Sequence, residues 1–317
     1  MIYTSVEGMK ISKIALGCAD FGSKVTLKDS FQVLDTFFEY GGNIFDTGRV
    51  YCEWLEGGAN KSESTLGDWV RTRNVRTEVC LATKGGHPPC NNHLISRINA
   101  QELNKDIEES LRYLKTDYID IYYLHRDDMN KPVSEIMPIL DKFVKDGKTR
   151  FIGASNWTAE RIQEANTFAE ENGLAKFKFS EVMWSYAKVN EEGERDNTLV
   201  IMDEEELSWY KKNDIVVMPF SSQAQGFYTK AKEQGIDKLP LHIRAKYVNP
   251  VNVERLKKLV RISDETGISP TAVGLNHLLR NAEVNTVPII GAHNTTFLLD
   301  SLRGLELDKK YFEQLKD

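Results

Sequence analysis

Asp46, Tyr51, Lys84 and His125 stand at or just beyond the ends of apolar runs, in the segments NIFDTGRVY, LATKGG and YYLHRDD. Together they offer a carboxylate, a phenol, an ammonium and an imidazole. A phenol has an ordinary pKa of about 10 and is a poor acid at neutral pH. An adjacent ammonium favours the phenolate and lowers that value, and a carboxylate beside the ammonium keeps it charged and oriented. In that arrangement Asp46 tunes Lys84, Lys84 tunes Tyr51, and His125 donates a hydrogen bond that fixes a carbonyl oxygen. The chemistry on offer is proton donation to a C=O group during its reduction. Each residue also has a plainer reading. An aspartate after a strand commonly caps a helix or forms a turn, and a lone strand-end histidine is commonly just a satisfied polar group. Lys84 resists that reading, because a charge after an apolar strand needs a partner and the double glycine admits a close approach. Four such residue types on successive segments favour the chemical reading.

The elements that must position them alternate. Eight β-rich runs, KIALG, NIFDT, EVCLATK, YIDIYYLH, RFIGAS, KFSEVMW, IVVMPF and TVPIIG, are separated by stretches of helical periodicity. In NAQELNKDIEESLRYLKTD the residues Leu103, Ile107, Leu111 and Leu114 line one face, and a second helix opens at Thr158 and closes at Gly173. Alternating βα units imply parallel strands, and eight of them in 317 residues fit a (β/α)8 TIM barrel, whose usual length is about 250 residues. The open dinucleotide-binding sheet lacks its signal, since no G-x-G-x-x-G opens a helix after the first strand. Three additions remain. MIYTSVEGMKIS reads as a hairpin around Glu7-Gly8 that closes the barrel floor. A long segment after the seventh strand, from Ser221 to Pro250, reads as a lid over the active face. The tail LELDKKYFEQLKD reads as a last short helix. No linker or low-complexity tract divides the chain, so residues 1–317 are expected to form a single domain.

The motifs NIFDTGRVY, LATKGG, YYLHRDD, FIGASNW and VPIIGAHN, in this order across eight βα units, resemble the aldo-keto reductase superfamily from about Ile11 onward. That resemblance implies a TIM barrel that binds a nicotinamide cofactor without a Rossmann domain and reduces aldehydes and ketones. It implies a catalytic set of Asp46, Tyr51, Lys84 and His125, with Tyr51 as proton donor. It further implies that Ser155 and Asn156 hold the nicotinamide carboxamide, with Glu181 where the family has glutamine. Phe220 is expected to stack on the nicotinamide, where many relatives have tyrosine. Ser221, Gln223 and Gly226 fall where the pyrophosphate is cradled. Gly291, His293, Asn294 and Asp300 fall at the adenosine end, where the last barrel helix begins. NADP(H) is the superfamily expectation. NAD(H) is the alternative, because GAHNTTFLLDS offers only His293 as a cation before Arg303.

The substrate rim is expected to contain Asp20, Phe21, Trp54, Leu55, His87, Arg126, Asp127, Asp128, Trp157 and Tyr247. That mixture of rings and charges suits a small polar or sugar-like carbonyl compound. A metal-dependent barrel would need oxygen and nitrogen ligands such as Asp46, Glu181, His87, His93 and His125. It is disfavoured, because Lys84 would repel the ion and the first strand lacks H-x-H. A nicotinamide-binding regulatory module with little turnover is the other alternative. The net charge of −6 shows no basic stripe for nucleic acid, and no apolar run approaches a membrane span. Four cysteines without C-x-x-C spacing, together with an N-terminus lacking signal-peptide character, lead to the expectation of a cytoplasmic protein with reduced thiols. Monomer and homo-oligomer are both compatible with the sequence.

Overall fold

A computed structural model describes residues 1–92, 95–194, 196–281 and 283–315. An antiparallel hairpin, β1 (Tyr3–Val6) and β2 (Met9–Ser12), comes first. The parallel strands follow: β3 (Ala15–Gly17), β4 (Ile44–Asp46), β5 (Cys80–Gly85), β6 (Ile119–Leu124), β7 (Thr149–Ser155), β8 (Phe177–Glu181), β9 (Val216–Val217) and β10 (Ile289–Gly291). Their order, β10-β3-β4-β5-β6-β7-β8-β9, follows the chain around the sheet. The remaining seam is bridged by backbone hydrogen bonds from Val287 N to Val217 O (2.8 Å) and from Ile289 N to Pro219 O (2.9 Å). All eight expected strand segments are therefore strands of one (β/α)8 cylinder.

Helices α1 (Leu27–Glu39), α2 (Lys61–Arg73), α3 (Ala100–Leu114), α4 (Val133–Lys145), α5 (Ala159–Glu171) and α6 (Glu204–Tyr210) each join one strand to the next. The crossover from β9 to β10 holds α7 (Phe227–Gln234), α8 (Leu241–Tyr247), α9 (Pro250–Thr266), α10 (Pro270–Gly274) and α11 (Asn276–Leu279), and α12 (Thr295–Arg303) follows β10. Local signals set the boundaries. Thr158 accepts from Arg161 N at 3.2 Å to cap α5, and Gly173 takes a left-handed φ of 64° just past its end.

Two sets of buried side chains follow from the period of two along each strand. Ile44, Cys80, Ala82, Ile121, Tyr123, Phe179, Val216 and Met218 meet inside the barrel. Phe45, Leu81, Tyr122, Leu124, Ile152 and Val217 face the helices. Tyr123 so fills the interior that a Cβ on Gly153 would lie 2.5 Å from its ring, so that strand position requires glycine. Continuing the inward parity upward gives Asp46 after Ile44, Lys84 after Ala82, His125 after Tyr123, Glu181 after Phe179 and Phe220 after Met218. The same alternation that packs the core delivers these groups to one end of the cylinder.

The hairpin closes the other end, as expected. Glu7 and Gly8 take φ values of 46° and 87°, which give the tight turn, and Met9 and Ile11 join the interior cluster. The segment after β9 differs from a simple loop. Phe227, Tyr228, Ala231, Ile243 and Tyr247 pack with Leu259, Ile262 and Val273 as a second core, so α7 and α8 form a helical layer on α9 and α10. Asn190 Nδ2 donates to Ala245 O at 2.8 Å and Lys246 pairs with Glu194, which stitches this layer to the loop after β8. The tail forms two short 3-10 turns, Lys309–Tyr311 and Glu313–Leu315, rather than one helix, because Leu307, Tyr311 and Leu315 dock on that second core. Lys316 and Asp317 lie outside the described residues. Truncating the fully buried Ile11 to Ala should cost about 2 to 5 kcal/mol of unfolding free energy, read as a lower urea midpoint. An unchanged midpoint would mean that the hairpin contributes nothing to the floor.

Candidate active site

Lys84 is 1% exposed and lies between two carboxylates. Its Nζ is 2.5 Å from Asp46 Oδ1, 3.3 Å from Glu181 Oε2 and donates to Thr47 O at 2.8 Å. The Tyr51 ring sits over this ammonium, with Nζ 4.9 Å from its centroid. His125 meets the Tyr51 ring edge-on at 5.5 Å and the His87 ring at 4.7 Å. Asp46, Tyr51, Lys84 and His125 therefore converge, and Glu181 and His87 join them.

Burial opposes the charge on Lys84, but Asp46, Glu181 and Tyr51 outweigh it and hold the ammonium above its ordinary range. Tyr51 does not follow the expectation of a lowered pKa. Lys84 does pull the phenol down, yet burial, followed by Asp46 and Glu181, pushes it well up, so Tyr51 keeps its proton. Burial and the neighbouring positive charges of His87, Arg126 and Lys84 push His125 well below the usual histidine range. Its imidazole is neutral, and Nδ1 is buried with no partner in the structure.

Ser155 and Asn156 end β7 beside this cluster. Asn156 takes a left-handed φ of 59°, which asparagine tolerates, and its Nδ2 lies 3.1 Å from Ser155 Oγ. Ser155 Oγ is 3.5 Å from Glu181 Oε2, while Glu181 Oε1 is buried without a partner. One unfilled acceptor beside a hydroxyl and an amide donor matches the amide of a nicotinamide, which presents both an NH2 group and a C=O. Phe220 is half-buried beside the interior cluster. Beyond it, Ser221, Ala224, Gln225 and Gly226 take φ values of 51°, 48°, 54° and 74° in a tight turn. Gln223 in this turn is already engaged, donating to Ser301 Oγ at 2.7 Å and accepting from Gly291 N at 3.1 Å. Asn294 caps α12 by accepting from Phe297 N at 3.0 Å, and Asp300 accepts from Ser269 Oγ at 2.6 Å. His293 is exposed, with Nε2 3.3 Å from Asp20 Oδ2, and Asp20 also pairs with Lys24 at 3.1 Å.

The rim differs from expectation. Phe21 and Trp157 are 1% and 0% exposed and belong to the core between barrel and helices, so neither lines an open pocket. Trp157 is held there by a hydrogen bond to Arg126 O (3.1 Å) and by edge contact with Phe177 at 5.2 Å. Tyr247 is fully buried in the second core. Asp127 pairs at 3.2 Å with Arg161, whose side chain is 6% exposed, and Arg126 ties the loop after β6 to Asp196 (3.2 Å) and Thr198. Asp128 accepts from Asn130 N at 3.1 Å. Trp54, 50% exposed and edge-on to Tyr51 at 6.2 Å, and His87 remain at the mouth, with Leu55 half-buried behind. No group of His, Cys, Asp or Glu among the described residues is arranged to hold a metal. His93 lies outside the described residues.

Sequence reasoning missed the supports of the Tyr51 loop. Arg49 Nε donates to Glu109 at 2.7 Å and Nη1 to Glu53 at 2.7 Å, fixing one side of that loop. Cys52, at a left-handed φ of 72°, donates its thiol to Ala19 O at 2.9 Å and fixes the other. Behind β5, Thr83 donates to Glu63 at 2.7 Å, and burial pushes that carboxyl up to about 7. The one sequence signal for these was proximity of Arg49 and Cys52 to Tyr51.

A closed parallel barrel with a lysine, phenol, imidazole and carboxylates gathered at the C-terminal strand ends has its polar cluster where barrel enzymes carry their active sites. The Aldo/keto reductase family model matches residues 13–317, and the chain belongs to that family. Among similar proteins, an aryl-alcohol dehydrogenase GME11368 of Pestalotiopsis microspora is 26% identical over 95% of this chain and 76% of its own length. The norsolorinic acid reductase stcV of Emericella nidulans is 27% identical over 100% and 80%. A putative aryl-alcohol dehydrogenase AAD14 of Saccharomyces cerevisiae is 25% identical over 96% and 82%. The chain is accordingly an oxidoreductase of the carbonyl-reducing and alcohol-oxidising kind. No helix among its described residues is long and apolar enough to cross a membrane.

Asp127→Ala should destabilise the fold by about 1 to 3 kcal/mol, because it removes one of the two carboxylates on the buried Arg161 guanidinium and leaves it Glu164 and the Lys131 carbonyl. It should leave the KM ratio of a polar to an aromatic carbonyl unchanged. A selective rise in KM for the polar compound would restore Asp127 to the substrate rim.

Proposed function

We propose that the chain reduces a carbonyl group, and oxidises the corresponding alcohol, with Tyr51 as the proton donor to the carbonyl oxygen. The observation that carries this reading is a protonated phenol that lies over a charged lysine and meets a neutral imidazole edge-on. A bound nicotinamide cofactor supplies or accepts the hydride. Tyr51 holds the transferable proton. His125, neutral, donates a hydrogen bond that orients the oxygen receiving it. Lys84 limits the rise of the phenol's pKa, and Asp46 keeps Lys84 charged and aimed. Ser155, Asn156 and Glu181 hold the carboxamide, and Phe220 stacks on the ring. The turn of Ser221, Gln223 and Gly226 lies along the pyrophosphate, and Gly291, His293, Asn294 and Asp300 surround the adenosine end.

For the cofactor, NADP(H) remains the first choice, with His293 as the cation for the 2′-phosphate. Asp20 competes for the same imidazole, which supports NAD(H) as the alternative. The substrate we infer is a small carbonyl compound with an aromatic part. Trp54 offers it a platform at the mouth, whereas Arg126 and Asp127 are spent on ion pairs. The printed names of the aryl-alcohol dehydrogenases support the same class. A cofactor-oxidation screen against aromatic aldehydes and sugars tests this, and turnover of sugars alone would overturn it.

Tyr51→Phe should remove most carbonyl reduction while leaving cofactor affinity, measured by tryptophan fluorescence, within about twofold. Full activity in that variant would assign the proton to another group. Because the phenol is pushed up, reduction should show no loss attributable to Tyr51 between about pH 7 and about pH 10. Alcohol oxidation, which needs the phenolate, should rise over that range. Lys84→Met should move that rise to higher pH, and an unmoved profile would break the coupling.

A further inference from the structure

Glu181 stands where the family resemblance supplies a glutamine, and the proposed carbonyl chemistry gives its charge no role of its own. The two side chains are nearly the same shape, so the difference between them is a titratable proton. Oε2 faces Lys84 Nζ at 3.3 Å, and Oε1 is buried without a partner. Asp46 holds the same ammonium at 2.5 Å, so two carboxyl groups share one cation. The groups facing Glu181 are Asp46 from β4, Tyr51 from the following loop, Lys84 from β5, Tyr123 from β6 and Ser155 from β7. His87, His125, Arg126 and Cys18 are further titratable or charged groups around this centre among the described residues. The charges of Asp46 and Lys84 cancel, so an ionised Glu181 leaves a net negative charge in a dry site. Burial, then Asp46, push the Glu181 carboxyl well above the usual carboxylate range against the pull of Lys84.

We propose that Glu181 makes this site discriminate between the oxidised and reduced forms of the nicotinamide cofactor by losing or keeping one proton. This rests on the reading above, in which the carboxamide lies against Ser155, Asn156 and Glu181. The oxidised ring carries a positive charge that the reduced ring lacks. A carboxylate beside it attracts the first form through a low-dielectric gap and not the second. Binding of the oxidised form to the neutral acid therefore expels the Glu181 proton, so one positive charge enters and one leaves. The reduced form binds with that proton in place. Affinity for the oxidised form rises with pH, by up to about tenfold per unit, until the free enzyme has itself lost the proton.

The test is the ratio of affinities for the two forms of one cofactor, NADP+ against NADPH and NAD+ against NADH, titrated by tryptophan fluorescence across pH. His293 and the adenosine end drop out of this ratio because both forms present them with the same groups. In the wild type the ratio should climb in favour of the oxidised form, and in Glu181→Gln it should be flat. His87 and His125 persist in that variant, so an equal slope in both proteins would assign the effect to them and overturn the proposal. A flat ratio in the wild type overturns it as well. Calorimetry of wild-type binding in buffers of different ionisation heat needs no variant. Release of about one proton with the oxidised form and none with the reduced form supports the proposal, and equal release with both overturns it. If neither form binds the wild type, the nicotinamide reading itself falls and takes this inference with it. Binding of both forms with a flat ratio leaves that reading standing alone.

Discussion

Lys84 is an ammonium removed from water, and the top of the barrel is organised around keeping it charged. Taking such an ion into a dry interior costs several kcal/mol even after relaxation. Two carboxyl groups and the Thr47 carbonyl offset that cost, and they come from β4, β8 and the loop after β4. β4 is the neighbour of β5, but β8 lies beyond β6 and β7, so only the curling of the sheet into a cylinder brings Glu181 opposite Asp46. Closing the barrel and satisfying the lysine are thus a single requirement. The same constraint reaches Tyr51, whose ring lies over the ammonium while its loop is pinned by Arg49 on one side and the Cys52 thiol on the other.

Around this centre, charge serves two different ends. The pairs Arg161–Asp127 and Arg126–Asp196 lie close to the mouth yet hold loops to helices and to each other. Their partners are fixed by the protein, which leaves Trp54 and the half-buried His87 at the mouth near Tyr51, with His125 buried behind His87. The loop after β8 is in turn fastened to α8 through Asn190 and Lys246, so the helical layer beyond β9 is continuous with the walls of the site. A segment with its own buried Phe227, Tyr228 and Tyr247 behaves as part of the wall rather than as a free flap.

The strands, their direction, the floor hairpin and the meeting of Asp46, Tyr51, Lys84 and His125 were legible because period-two alternation is a property of the sequence itself. Lys84 stands two residues after Ala82 and His125 two after Tyr123, so whatever packs the interior also aims the polar ends. Trp157 and Phe21 were not legible. An aromatic residue just past a strand reads the same whether it turns toward solvent or, like Trp157, toward Phe177 and the Arg126 carbonyl. The helices after β9 were hidden for a related reason: their apolar faces are spread over two short elements and become evident only against α9 and α10. The direction of the Tyr51 pKa was misjudged because the sequence reveals the lysine but neither the depth of burial nor the approach of Glu181 to the same ammonium.

That second carboxyl changes how the centre should be read. With one lysine and one aspartate the cluster is neutral, and the phenol feels mainly the ammonium. Glu181 raises the phenol when ionised and adds little when neutral, so the proton on Tyr51 is linked to the proton on Glu181, with Lys84 facing both. Groups that interact this closely titrate as a set, and no single pKa belongs to any one of them. On the proposal for Glu181, an acid in place of an amide of the same shape alters how many protons the site holds in each state. Asp46 and Lys84 set the geometry of the centre, and Glu181 sets its charge.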